Sequence, residues 1–328
     1  MEPKKSQKPD KRNLKSYPKN QCALFKVGFK KRLAAILNTQ LDWLNKLASC
    51  EDNYVLFKLP EVVCPFTNRV RKERAVQQPK AGIRTIHERI LHLLRPVILP
   101  EYAHAAVRGR SYRSNAVTHK DADKVATFDI RKYYPMTSAS RVYDFFHKKM
   151  QCSPDVSKLL TRLTCYNNSL PTGSPLSPLL SLHANMPMFD SLAKIAGDNH
   201  LIFTCYVDDL TFSGHQLPLD LPRKIKNEVE KHGHLISDEK TRIYKRDQGK
   251  HVTGIVLYNG RVLVPNIRFK KARAISNAIA IENDLEKKLS LSRKLSGLLG
   301  EAAYIDDRYA HWAKRAHTSL KHLQNQSD

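Results

Sequence analysis

The feature that most constrains this chain is a pair of acids set between two apolar runs. Leu201-Ile202-Phe203-Thr204-Cys205-Tyr206-Val207 leads into Asp208-Asp209, and Leu210-Thr211-Phe212-Ser213 follows. Both runs are rich in aromatic and β-branched residues, so they predict two strands around a tight acidic turn. Apolar strands normally bury what they present, and carboxylates held together in such a setting repel one another. A divalent metal would remove that conflict, because hard cations take oxygen ligands. An exposed Asp-Asp hairpin turn is the plainer alternative.

A second acid sharpens the choice. Lys124-Val125-Ala126-Thr127-Phe128-Asp129-Ile130 reads as a short strand that ends in a carboxylate. With that strand beside the hairpin, Asp129, Asp208 and Asp209 would converge. They would then suit two metal ions about 3.5–4 Å apart, one activating an attacking hydroxyl and one carrying a triphosphate. Phosphoryl transfer asks mainly for such positioning and charge neutralisation. Taken alone, Asp129 is equally a strand-end acid capping the next helix.

The charge balance agrees with a polyanionic substrate. The 328 residues carry 56 Lys+Arg against 31 Asp+Glu, a formal net charge of +25. Such an excess repels itself in a compact state and points to nucleic acid, where each neutralised phosphate releases a counterion. A membrane surface is second, since no long uninterrupted apolar stretch is present to span a bilayer. The apolar share of 41% excludes wholesale disorder. The six cysteines form no Cys-x-x-Cys pair, so they read as reduced, mostly buried thiols rather than zinc ligands. The basic N-terminus lacks the apolar core of a signal peptide, which places the protein in the cytoplasm.

Along the chain, residues 1–20 read as a mobile basic tail. Apolar spacing predicts one helix over Cys22 to Leu47, a strand over Tyr54 to Leu59 and a helix over Glu88 to Leu99. Further helices are expected near Ser138 to Lys149, Val156 to Thr164, Pro178 to Ala196 and Leu221 to His232. A β pair follows at His251 to Leu257 and Arg261 to Val264, and the pattern from Asn266 onward is helical and basic. The fold class is α+β, with no internal repeat.

Three motifs in order carry a specific resemblance. Phe128-Asp129-Ile130 is similar to the first catalytic motif of reverse transcriptases, and Tyr206-Val207-Asp208-Asp209 to their metal-binding tetrapeptide. Between them, Leu170-Pro171-Thr172-Gly173-Ser174-Pro175-Leu176-Ser177-Pro178 resembles the motif before their template-gripping helix. Asn115-Ala116-Val117-Thr118-His119 and Val252-Thr253-Gly254 are similar to two signatures of bacterial retron reverse transcriptases. The chain departs from the family at Thr172, where Gln is usual, which puts a template or primer contact there in question. Asn185 either matches a further family position or is an ordinary polar residue.

The resemblance implies a right-hand polymerase of fingers, palm and helical thumb, with the N-terminal region and fingers over 21–123, the palm over 124–264 and the thumb over 265–328. It implies an RNA-directed DNA polymerase that uses two Mg2+ ions, with Asp129, Asp208 and Asp209 catalytic and Asp129, Ile130, Asp208 and Asp209 as metal ligands. Arg84, Tyr134, Gly173 and Lys240 would handle the nucleotide. Arg84 would grip the triphosphate, Tyr134 would gate the sugar, and Lys240 would protonate the departing pyrophosphate. Gly173 lets a backbone approach a phosphate or base closely. Asn115, His119, Val252, Thr253 and Gly254 would bind RNA. The implied partners are dNTPs, a structured non-coding RNA that serves as template and as 2′-hydroxyl primer, its branched DNA product, and an effector protein in anti-phage defence. Another bacterial reverse transcriptase, intron-encoded or of abortive-infection type, and a non-catalytic RNA-binding scaffold are the competing readings.

Overall fold

The computed structural model describes residues 16–325. Their strands, in chain order, are β1 (Tyr54–Leu59), β2 (Val62–Val63), β3 (Val70–Arg71), β4 (Arg74–Pro79), β5 (Lys124–Asp129), β6 (Ile202–Tyr206), β7 (Asp209–Gly214), β8 (Arg242–Tyr244), β9 (Lys250–Val252), β10 (Ile255–Tyr258) and β11 (Arg261–Leu263). β6, β7, β5 and β8 form the central sheet in that order, antiparallel throughout. β9, β10 and β11 form a second, smaller antiparallel sheet. The fold class is mixed helix and sheet, α+β.

Register and alternation give the central sheet two unlike faces. Phe128 pairs with Leu210, Ala126 and Phe203 with Phe212, and Cys205 with Leu210, which makes one face apolar. Its rings pack closely, Phe203 to Phe212 at 4.8 Å and Phe128 to Phe212 at 5.8 Å between centroids. This face belongs to the large core that also holds Phe189, Leu192 and Ile225 from helices Met186–Asp198 and Leu221–Lys231. Truncating a ring so placed costs roughly 3–5 kcal/mol. The other face is polar: Thr127 pairs with Thr211, Thr211 with Thr204, and Asp129 with Asp209. Helix Tyr112–Val117 and the small sheet close its far end through Ala116, Val125, Val252, Ile255 and Leu257.

Several elements differ from what spacing predicts. The single helix over Cys22 to Leu47 is two, Lys30–Ile36 and Leu41–Ser49, because Asn38 takes a left-handed conformation (φ 55°) that ends the first. The helix expected from Glu88 begins at Ala81 and ends at Leu94. Gly82 sits in its first turn, where a Cβ would lie 3.3 Å from the Trp43 ring, so that glycine serves close helix packing rather than a loop. The helix over Pro178 to Ala196 breaks at Asn185, next to Pro187, which has no N–H to continue the ladder. His251 to Leu257 is not one strand: Thr253 (φ 43°) and Gly254 (φ 81°) make the two-residue turn between β9 and β10. The N-terminal tail expected over 1–20 lies outside the described residues up to residue 15. From Tyr17 the chain is docked, with the Tyr17 hydroxyl donating to the Leu93 carbonyl at 3.0 Å. No helix among the described residues is long and apolar enough to cross a membrane.

Candidate active site

The acidic hairpin turns through Val207 and Asp208, between Tyr206 and its register partner Asp209. Val207 has φ 59°, a conformation that a β-branched residue rarely adopts and that costs of order 1–3 kcal/mol. The Asp208 carbonyl accepts the Ile130 N–H at 2.9 Å, which staples the turn to the end of β5. Asp129 lies opposite Asp209 in the β5–β7 ladder. Three acids, from two segments some eighty residues apart in sequence, therefore share one end of the sheet, at the tips of its two central strands. All three are half-buried.

Their electrostatics are in conflict. Burial, then the neighbouring Asp208 and Asp129 charges, push the Asp209 carboxyl up to about 7. Burial and Asp129 raise Asp208 as well. One cation answers the three carboxylates: Lys240 donates to both oxygens of Asp129 at 2.9 Å, and its ammonium is held above its ordinary range by that contact. Among the described residues no set of three or more His, Cys, Asp or Glu side chains forms a ready metal cage. The donor chemistry still suits a hard divalent cation, since it offers carboxylate oxygens whose mutual repulsion such a cation would relieve. Ile130 is buried to 1% exposure and its N–H is committed to Asp208, so only its carbonyl is left as a donor.

Tyr134 stands in the short helix Tyr133–Met136, entered through left-handed Lys132 (φ 46°). Burial and then the Asp208 charge raise its hydroxyl, which puts the phenol beside the acids. Arg84 projects from the first turn of Ala81–Leu94 and pairs with Glu88 at 2.8 Å. Gly173 does make a close approach, but to protein. Its N–H donates to the Gln77 carbonyl at 3.1 Å, and a Cβ there would stand 2.6 Å from that oxygen. Thr172 docks on the same strand, β4, its hydroxyl 3.1 Å from the Ala75 carbonyl and 3.0 Å from Gln77 Oε1. The closeness read from sequence as room for a phosphate or base is thus a contact between this loop and β4.

A buried hub sits behind the acids. Asn185 donates to Thr137 Oγ1 at 2.9 Å and to the Ser181 carbonyl at 3.0 Å. His234 Nε2 donates to Asn185 Oδ1 at 2.9 Å, and Arg141 reaches the same oxygen and the His232 carbonyl. The chain then runs along β5, where the Ser237 N–H donates to the Asp129 carbonyl at 2.8 Å, before it delivers Lys240. Arg141, His234 and Ser237 escape a sequence reading because their link is tertiary and no spacing marks it.

The expected RNA-binding set lies elsewhere and is largely inside the protein. Asn115 and His119 are both 0% exposed, so neither side chain is presented to an RNA. The His119 ring spans Ser213 Oγ at 2.6 Å and Thr204 Oγ1 at 2.7 Å, and burial pushes its pKa down to about 3, so the imidazole is neutral. Asn115 Nδ2 reaches Thr253 Oγ1 at 3.5 Å, and that hydroxyl donates to the Tyr112 carbonyl at 2.9 Å. Val252 is fully buried, and Gly254 is the exposed member of the turn. The two signatures meet each other and clamp helix Tyr112–Val117 to both sheets.

No family model matches the chain. It is 30% identical over 265 residues to retron Se72 reverse transcriptase of Salmonella heidelberg (strain 579083-10), covering 76% of this chain and 65% of that protein. It is 26% identical over 207 residues to retron Ec86 reverse transcriptase of Escherichia coli, covering 62% and 64%. Retron Mx162 reverse transcriptase of Myxococcus xanthus is 24% identical over 285 residues, covering 77% and 57%. The chain therefore spans less than two thirds of the length of each of these relatives. Several such matches across most of the sequence make this chain a relative of the retron reverse transcriptases.

Proposed function

We propose that the protein is a retron-type reverse transcriptase, an RNA-directed DNA polymerase built as a right hand. The observation that carries this reading is the meeting of Asp129 with Asp208-Asp209 at one end of the two central strands, with Tyr134 and Lys240 beside them. The central sheet and its helices are then the palm (124–264), the preceding region the fingers (21–123) and the C-terminal helices the thumb (265–328). Magnesium is the metal proposed, two ions held by Asp129, Asp208, Asp209 and the Ile130 carbonyl; when bound, they would acidify the primer hydroxyl and neutralise triphosphate charge.

The chain's own residues do the rest. Lys240 would leave Asp129 and meet the departing pyrophosphate as acid or counter-charge. Arg84 would exchange Glu88 for phosphate oxygens, which its planar fork suits. The Tyr134 ring would lie under the sugar and exclude a 2′-hydroxyl. Template and primer would be one structured non-coding RNA, extended from a 2′-hydroxyl into a branched product in the cytoplasm, with an effector protein for anti-phage defence. The relatives' names and the net charge of +25 support an RNA partner. Of the five RNA-binding residues, Gly254 and Thr253 retain the exposure such a role needs.

The test is primer extension on an RNA template with dNTPs and Mg2+. Wild-type extension should fall by at least about a thousandfold in Asp208→Asn plus Asp209→Asn, on the scale expected when transition-state charge loses its partner. Extension that survives the double substitution removes the proposed chemistry. Tyr134→Ala should increase ribonucleotide incorporation, and no increase removes the sugar-gate role.

A further inference from the structure

Away from the acidic end of the sheet, a cavity of about 750 Å³ opens between helix Leu41–Ser49, helix Pro154–Thr164 and the 165–168 loop. Lys158 and Arg162 line it from successive turns of one helix face. Neither has an ion-pair or hydrogen-bond partner among the described residues, whereas Lys148, Lys231 and Arg84 on other helices each hold a carboxylate. Tyr143 and Tyr166 add aromatic faces to the lining. Asn167 and Asn168 follow in left-handed conformation (φ 44° and 59°), with exposed amides that bond to nothing described. At the inner wall Tyr54 is 8% exposed and its buried hydroxyl has no partner.

We propose that this cavity holds one nucleotide unit of a single-stranded nucleic acid, with its phosphate on Lys158 and Arg162 and its base against Tyr143 and Tyr166. Unpaired cations beside aromatic faces are the combination that single strands select, because every base has a π-face and every residue a phosphate. The free Asn amides can read a Watson–Crick base edge, which only an unpaired base presents. The place also matters. The Asn168 carbonyl accepts the Ala139 N–H at 2.8 Å, the Leu170 N–H donates to the Thr137 carbonyl at 3.2 Å, and Pro171-Thr172-Gly173 then dock on β4. A strand seated here would lie against the segment that leads into that loop. The proposal does not rest on polymerase activity, since binding is read without catalysis.

The experiment uses the full chain and a short fluorescent single-stranded RNA carrying 4-thiouridine. Lys158→Ala plus Arg162→Ala changes two exposed side chains and should leave the melting temperature unaltered. It should weaken binding about tenfold at physiological salt and flatten the log affinity against log salt slope by about 1.4, two charges at about 0.7 each. Arg223→Ala plus Lys224→Ala removes the same charge from helix Leu221–Lys231 and should leave binding near wild type. Photo-crosslinks should map to Tyr143 or Tyr166 and vanish in the first variant. Equal losses in both variants, or crosslinks that avoid this cavity, would mean diffuse attraction by a basic surface and overturn the proposal. A free dNTP that displaces the RNA and abolishes these crosslinks at millimolar concentration would identify a mononucleotide site and overturn the strand assignment.

Discussion

The two ends of the polar face of the central sheet are built from the same ladder and treated in opposite ways. At one end Thr204 and Ser213 are buried, and His119 answers both hydroxyls. Four residues along β7, about 13 Å away, Asp209 faces Asp129 with Asp208 beside it and a single lysine for three carboxylates. The first end has its polar groups satisfied and its one titratable ring held neutral. The second has charges that raise one another's affinity for protons and a turn strained at Val207. Conflict of this kind, retained where the carboxylates are only half-buried, is what the proposed cation would relieve. Satisfaction marks construction, even where the motif carrying it resembles a family signature.

Substitutions can break that contrast. His119→Ala should be the most costly, leaving Ser213 and Thr204 unpaired beside a cavity and losing about 2–4 kcal/mol in denaturant unfolding. The salt slope of RNA binding should not change; a selective loss of RNA affinity at wild-type stability would show that His119 acts on RNA. Asp209→Asn should act in the opposite sense. The folded-state carboxyl is raised from 3.8 to about 7, so its contribution to stability is complete below the unfolded value and is lost as pH rises through about 7. In metal-free buffer at pH 8 the substitution should raise Tm by about 5 °C, and near pH 4 it should change little. A Tm that falls at pH 8 would mean that the carboxylate is stabilising. Lys240→Ala should give the smallest effect, a loss of about 2 °C at pH 8, because the side chain is largely exposed and solvent already screens it. A gain would show that Lys240 does not relieve the acids.

Much of the central architecture is legible in the sequence. Period-two alternation through Lys124–Asp129 and Ile202–Gly214 places Phe128 and Phe212 on one face and Asp129 and Asp209 on the other, once the strands are side by side. What periodicity misses is where a pattern is interrupted without a gap in hydrophobicity. Asn38 and Thr253-Gly254 each break a continuous apolar run by left-handed backbone conformation, and Asn185 does so beside Pro187. Gly173 misled in the reverse direction, since the neighbour that demands it, Gln77, comes from a distant segment. The burial of Asn115 and His119 is likewise invisible locally, because a polar residue reads as surface until the distant segments that pack over it are known.

The central claim is that the acidic end of the sheet holds a divalent cation, and thermal melting with and without Mg2+ at pH 8 and pH 6 tests it most directly. Wild-type Tm should rise with Mg2+ at pH 8 and rise less at pH 6, where protons compete for Asp208 and Asp209. Asp208→Asn plus Asp209→Asn should show no such rise at either pH. An equal Mg2+ response in that variant, or none in the wild type, would contradict it.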